Sequence, residues 1–173
     1  MPVIEVVRGD ITEETADAIV TAANQALCGG GGVDAAVHAA AGPELLQACS
    51  QLAPCAPGDA KATSSFGLHP HVRWIIHAVG PVWDGGTNGE AEILASCYRR
   101  ILQVADELGA RTLSVPAIST GIYGYPKDEA ADIAVRTLLT TPSVVELVRL
   151  VAFDGENYAA LSEVMQRSGP GGP

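Results

Sequence analysis

Four consecutive glycines, Gly29–Gly32, open directly onto Val33 and Asp34, with His38 further along the same stretch. Ordering four glycines costs much backbone entropy. A fold tolerates that where backbone must approach a ligand closely or take a positive φ. A helix beginning near Val33 would present free N–H groups and a partial positive charge, which suits phosphate. A phosphate-cradling loop is therefore expected, because linkers seldom interrupt a strand-to-helix turn. It is not a P-loop: Val33-Asp34 stands where Gly-Lys-Ser/Thr would follow. A GxGxxG reading needs glycine where Asp34 or Ala35 stands, so a Rossmann dinucleotide site does not fit. Asp34 and His38 share one helix face. Asp34 reads equally well as a first-turn carboxylate favoured by the dipole, and His38 as a packed histidine among alanines.

Further polar or glycine-bearing segments follow the other apolar runs. Asp10, in Gly9-Asp-Ile-Thr12, is a short acceptor at a bend and equally a helix cap or Asx-turn. Asn24 closes Ala22-Ala23-Asn24. Ser119-Thr120-Gly121-Ile122-Tyr123 forms a second glycine-bearing loop between a strand and a helix. Two such loops could clasp a diphosphate from both sides. Phe153, leaving the last strand, reads as core or as a platform for a base. Cys28, Cys49, Cys55 and Cys97 contain no CxxC pair, and the four histidines lack zinc-site spacing. Four reduced, buried thiols are expected.

The elements that must position these residues alternate in type. Apolar, β-branched runs at Val3–Val7, Ala18–Ala22, Arg73–Val79, Thr112–Pro116 and Leu147–Phe153 read as strands buried on both faces. Helical patterns fall at Val33–Ala41, Glu44–Leu52, Glu90–Leu108, Asp128–Leu139 and Tyr158–Gln166. Such alternation predicts helices on both faces of a largely parallel sheet, with ligands at the carboxyl ends of the strands. The length of 173 residues suits one domain, placed at 1–167, followed by a frayed tail at Ser168–Pro173. The start, Met-Pro-Val-Ile-Glu, shows no basic n-region or apolar h-region, and no apolar run approaches a membrane span. A cytoplasmic protein without a membrane partner is expected. Ten basic against twenty acidic residues give a net charge of −10, which argues against nonspecific nucleic-acid binding.

Taken in order, five motifs resemble the macrodomain family, and most closely its MacroD-type branch. They are Gly9-Asp-Ile-Thr12, Asp17-Ala-Ile-Val-Thr-Ala-Ala-Asn24, Gly29–Asp34 with His38 and Ala40-Ala-Gly42, Ile76-His-Ala-Val-Gly-Pro81, and Ile118-Ser-Thr-Gly-Ile-Tyr-Gly-Tyr-Pro126. The resemblance runs from Val7 to about Met165. It implies a three-layer α/β/α fold around a mixed, mostly parallel sheet, with ADP-ribose in a crest cleft. It also implies roles. Asp10, with the Ile11 backbone beside it, would accept from the adenine amine, and Phe153 would pack on the ring. Gly30, Gly31, Gly32 and Val33, with Ser119, Thr120, Gly121, Ile122 and Tyr123, would hold the phosphates. Asn24, Asp34 and Tyr123 would surround the distal ribose. The family's Asn-Ala-Ala-Asn reads Thr21-Ala-Ala-Asn24 here, and threonine offers fewer donors than the amide.

The resemblance implies hydrolysis of an ADP-ribosyl linkage at the distal ribose. The substrate would be O-acetyl-ADP-ribose or an ester to Asp/Glu of a modified protein. Asp34 would align or deprotonate a water, and Asn24 would fix the ribose hydroxyls. No metal or other cofactor is expected, and a monomer is expected. A branch of the family uses a lysine nucleophile, but Lys61 and Lys127 lie in polar stretches that would not desolvate an amine. The alternatives are a reader that binds ADP-ribose without cleaving it, a phosphatase acting on ADP-ribose 1″-phosphate, and a nucleic-acid binder, which the acidity disfavours.

Overall fold

The structure, a computed structural model, describes residues 2–168. Among these, six strands form one sheet: β1 (Val3–Arg8), β2 (Ala16–Ala22), β3 (Ala60–Ser64), β4 (Val72–Ala78), β5 (Thr112–Pro116) and β6 (Leu147–Ala152). The strand order is β1-β6-β5-β2-β4-β3. Every neighbouring pair is parallel except β3 with β4. Five helices flank it: α1 (Gly32–Ala41), α2 (Glu44–Leu52), α3 (Glu90–Leu108), α4 (Lys127–Thr140) and α5 (Gly155–Ser168). None of the described helices is long and apolar enough to cross a membrane.

The period-two pleat divides the core into two layers. Ala18 and Val20 of β2 pack with Leu94, Ile101, Val135 and Leu161 from α3, α4 and α5. Ile19 and Ala23 pack with Val37, Leu45 and Cys49 from α1 and α2. Both faces are covered, which is why the strands read as unbroken apolar runs. The result is the expected three-layer α/β/α sandwich around a mixed sheet.

The differences from expectation are local. β3 carries Ala60-Lys-Ala-Thr-Ser64, small and polar residues with Thr63 as the one β-branched side chain. It is an edge strand, paired only with β4, and its short small-residue run carries no periodic apolar signal. α5 begins earlier than the apolar spacing suggests, because Asp154 caps it: its Oδ1 accepts the Asn157 N–H at 2.7 Å. Ser168, assigned to the tail, ends α5, and the rest of that tail, 169–173, lies outside the described residues.

One buried side chain ties α3 to the loop after β5. Tyr98 Oη accepts the Ile118 N–H at 3.1 Å and lies 3.5 Å from the Pro116 carbonyl. Tyr98→Phe strands the Ile118 N–H in the interior. We expect a loss of about 1–3 kcal/mol of stability, measured by denaturant unfolding.

Candidate functional site

The carboxyl ends of β1, β6, β5 and β2 lie side by side and open into a cleft of about 450 Å³. Gly9, Asp10 and Ile11 line it after β1, and Ala22, Ala23 and Asn24 after β2. Pro116, Ala117 and the Ser119–Tyr123 loop follow β5, and Phe153, Asp154 and Asn157 follow β6. Gly30, Gly31, Gly32 and Val33 complete the wall.

Two backbone loops face each other across the middle. The first is the glycine run entering α1. Its leading N–H groups have no partner within the helix, and the dipole adds positive potential there. The second is Ser119–Tyr123, where Ser119 takes φ +69, an αL conformation uncommon outside glycine. Its hydroxyls serve the loop itself: Ser119 Oγ donates to the Pro81 carbonyl at 2.7 Å and Thr120 Oγ1 to the Ala117 carbonyl at 2.8 Å. Its carbonyls also turn inward, since those of Ser119, Gly121 and Tyr123 accept from Tyr125, Gly124 and Trp83. Ile122, 86% exposed, reaches across so that a methyl on Gly31 would stand 3.0 Å from Ile122 Cδ1.

The two ends of the cleft differ in chemistry. At one end Phe153 lines the cleft and is 74% exposed, so it is not core. Asp10 stands nearby, with Oδ1 accepting from the Thr12 N–H at 2.9 Å and the Thr12 hydroxyl at 2.7 Å. The cap and the cleft-lining roles therefore coexist. At the other end lies Asn24, whose Oδ1 accepts the Cys28 N–H at 3.3 Å and whose Nδ2 donates to the Gly29 carbonyl at 3.2 Å.

Asp34 is placed differently from a simple cleft carboxylate. It is 1% exposed and sits behind the glycine loop, on the first turn of α1. Oδ1 accepts the Thr21 hydroxyl at 2.9 Å, and His38 Nε2 is 3.6 Å from the same oxygen. Oδ2 is buried without a hydrogen-bond partner. A methyl on Gly30 would lie 3.6 Å from Asp34 Oδ2 and 3.8 Å from Asn24 Nδ2. The missing side chain at Gly30 thus leaves a small space with both groups on its walls. Burial raises the Asp34 pKa, opposed by the Thr21 hydrogen bond, by His38 and by the Gly30 amide.

Behind Asp34 the polar chain continues into the sheet. His77, paired with Thr21 across β2 and β4, hydrogen-bonds Thr63 Oγ1 at 2.9 Å. Burial pushes its imidazole down to about 4, so it stays neutral. Cys49 lies 3.7 Å from His77 Nε2, and burial raises its thiol to about 11.

Sequence reasoning missed some members. Asp154 and Asn157 line the cleft, and the acidic cap before a helical run was the available signal. Gly80 was quoted only as part of a motif, yet a methyl there would meet Ser119 Oγ and come within 2.5 Å of Ile118 Cγ2. One expectation is corrected: three cysteines are buried, but Cys28 is exposed, because it lies on the turn beside Asn24 and not in a core element. Both lysines hold structure. Lys61 Nζ donates to the Leu52 and Pro54 carbonyls, and Lys127 pairs with Glu156.

A strand-end cleft lined by a glycine run and a second strand-to-helix loop, on this strand order, defines a ligand-binding module of the macrodomain class. The sequence model of the macro domain family matches residues 20–134, and the chain belongs to that family. An Oceanobacillus iheyensis macrodomain solved with ADP superposes with a TM-score of 0.90 at 42% identity, covering 95% of this chain and 90% of that one. A Trypanosoma brucei macrodomain in complex with ADP-ribose gives 0.83 at 35% identity, over 92% of this chain and 68% of that one. An Enterobacter protein named O-acetyl-ADP-ribose deacetylase is 49% identical over 175 residues, spanning 97% of this chain and 96% of its own.

Gly80→Ala must displace Ile118, which branches at the backbone end of its side chain and cannot swing away. We expect a loss of about 1–3 kcal/mol in denaturant unfolding. Hydrogen exchange should rise first at 118–123.

Proposed function

We propose that this protein binds ADP-ribose conjugates and hydrolyses the linkage at the distal ribose, with O-acetyl-ADP-ribose and Asp/Glu-linked mono-ADP-ribosyl proteins as substrates. The observation that carries this reading is the convergence of Asp34 Oδ2 and Asn24 Nδ2 on the space left by Gly30. The adenine lies on Phe153 with Asp10 accepting from its amine. The diphosphate takes the amides of Gly30–Val33 and Ser119–Tyr123. The distal ribose then reaches Asn24 and Asp34. Water is the co-reactant: its hydroxyl joins one side of the broken C–O bond and a proton the other, with Asp34 holding that proton in between. A carboxylate whose pKa is raised is a stronger base than an ordinary aspartate. The named Enterobacter relative supports the acetyl ester. The protein acts as a cytoplasmic monomer without a cofactor.

One observation favours the alternative of a reader: Asp34 is enclosed, so water must enter beneath the loop before it can serve. Calorimetry with ADP-ribose, followed by turnover on acetyl-, Asp/Glu- and Ser-linked substrates and on ADP-ribose 1″-phosphate, decides among these. We expect binding and ester cleavage. A wild type that binds and releases nothing on any linkage is a reader. Asp34→Asn keeps the Thr21 hydrogen bond and removes the base. Its turnover should fall about 10²–10⁴-fold while ADP-ribose affinity changes little.

A further inference from the structure

Thr21 lies on β2, with its side chain directed to the α1 side, and is fully buried. A polar side chain enclosed this completely needs a partner. Its partner is Asp34 Oδ1, 2.9 Å away on the first turn of α1. That contact joins the sheet to the helix whose N-terminus forms the phosphate wall. It also divides the carboxylate: Oδ1 is occupied, and Oδ2, equally buried, has no partner and borders the space at Gly30. We propose that Thr21 is a positioning residue, whose hydroxyl fixes the rotation of the Asp34 carboxylate so that Oδ2 is the oxygen presented to the reacting water. The claim rests on the hydrolytic reading above only for its consequence in turnover.

The other groups around Asp34 do not do this work. His38, on α1, stands 3.6 Å from Oδ1, beyond a good hydrogen bond, and contributes charge only when protonated. Cys49 on α2 and His77 on β4 are held uncharged near neutral pH by burial. The Gly30 amide approaches from the loop, and Asn24 Nδ2 is engaged by the Gly29 carbonyl. Among the described residues, Thr21 is the one side chain that hydrogen-bonds the carboxylate within ordinary distance. Burial raises the Asp34 pKa and the hydroxyl opposes this by stabilising the ionised form. Removing the hydroxyl therefore both frees the rotation and raises the pKa further.

The test compares Thr21→Val, which keeps the strand-favouring shape, Thr21→Ala, which also lacks the hydroxyl, and Thr21→Ser, which restores it. The readouts are the ¹³C NMR titration of the Asp34 carboxyl, the pH–rate profile on O-acetyl-ADP-ribose, and calorimetry with ADP-ribose. Val and Ala should raise the titration midpoint and the acid limb of the profile together, by about one unit, and lower kcat about tenfold below that midpoint. Ser should return both to near wild type, and ADP-ribose affinity should stay within about twofold throughout. A merely structural hydroxyl would lower thermal stability without moving either titration. The proposal is overturned if the Asp34 midpoint is the same in wild type, Val and Ala, or if Ser behaves as they do. If the wild type turns nothing over, the hydrolytic reading falls, while the NMR titration still decides whether Thr21 controls the carboxylate.

Discussion

Withdrawing a carboxylate from water is among the most expensive things a fold can do, and Asp34 is withdrawn almost completely. The compensation comes from a short set of partners. Thr21 donates from the strand beneath, the first turn of α1 supplies its dipole, and the Gly30 amide approaches from the loop. Each partner belongs to a different element. β2, α1 and the glycine run must therefore sit in one arrangement for the site to exist. The unpartnered Oδ2 is the remainder of that compensation, a buried acceptor that a water or a hydroxyl from a ligand would satisfy.

The sheet order explains how one long cleft comes to have two chemically different ends. β1 lies at the edge beside β6, while β2 lies beyond β5. The chain leaving β1 and the chain leaving β2 therefore emerge on opposite sides of the β6 and β5 ends, with a crevice between them. Asp10 and Phe153 fall at one end and Asn24 at the other, with both amide loops in the middle. Tyr98 and Gly80 belong to the same logic although neither touches the cleft. The first anchors the Ile118 amide, and the second leaves room for Ile118 and Ser119 to turn.

Much of this was legible in the residues, and the failures have physical reasons. Helices α2 and α3 and strand β5 fall where their apolar spacing places them, because each buries a full face. β3 was invisible, since its alanines and threonine carry no periodic signal at an edge. Every loop residue assigned to the cleft lines it, because glycine runs and caps at strand ends are local chemistry. The depth of Asp34 was not legible. Position on a helix face does not say whether a loop will fold over it. Thr21 was read as the loss of an amide donor. Only the approach of α1 to β2 shows that its hydroxyl meets Asp34, a contact between residues thirteen apart in sequence.

A net charge of −10 and the proposed diphosphate site look contradictory only if anions are bound by net charge. The proposed phosphate contacts are main-chain N–H groups, whose field acts over a few ångströms and is set by loop geometry, not by the surface. Several cationic side chains are engaged in structure outside the cleft lining: Lys61 on carbonyls at the end of α2, Lys127 on Glu156, Arg149 on Glu5 and Glu14. An acidic surface then has a selective effect. It repels polyanions, whose many phosphates sample the whole surface, more strongly than a short ligand whose two phosphates lie within the amide loops. On the proposed reading, local amides with a global negative charge would favour a small diphosphate over a nucleic-acid backbone, and among the described residues no lysine or arginine lines the cleft.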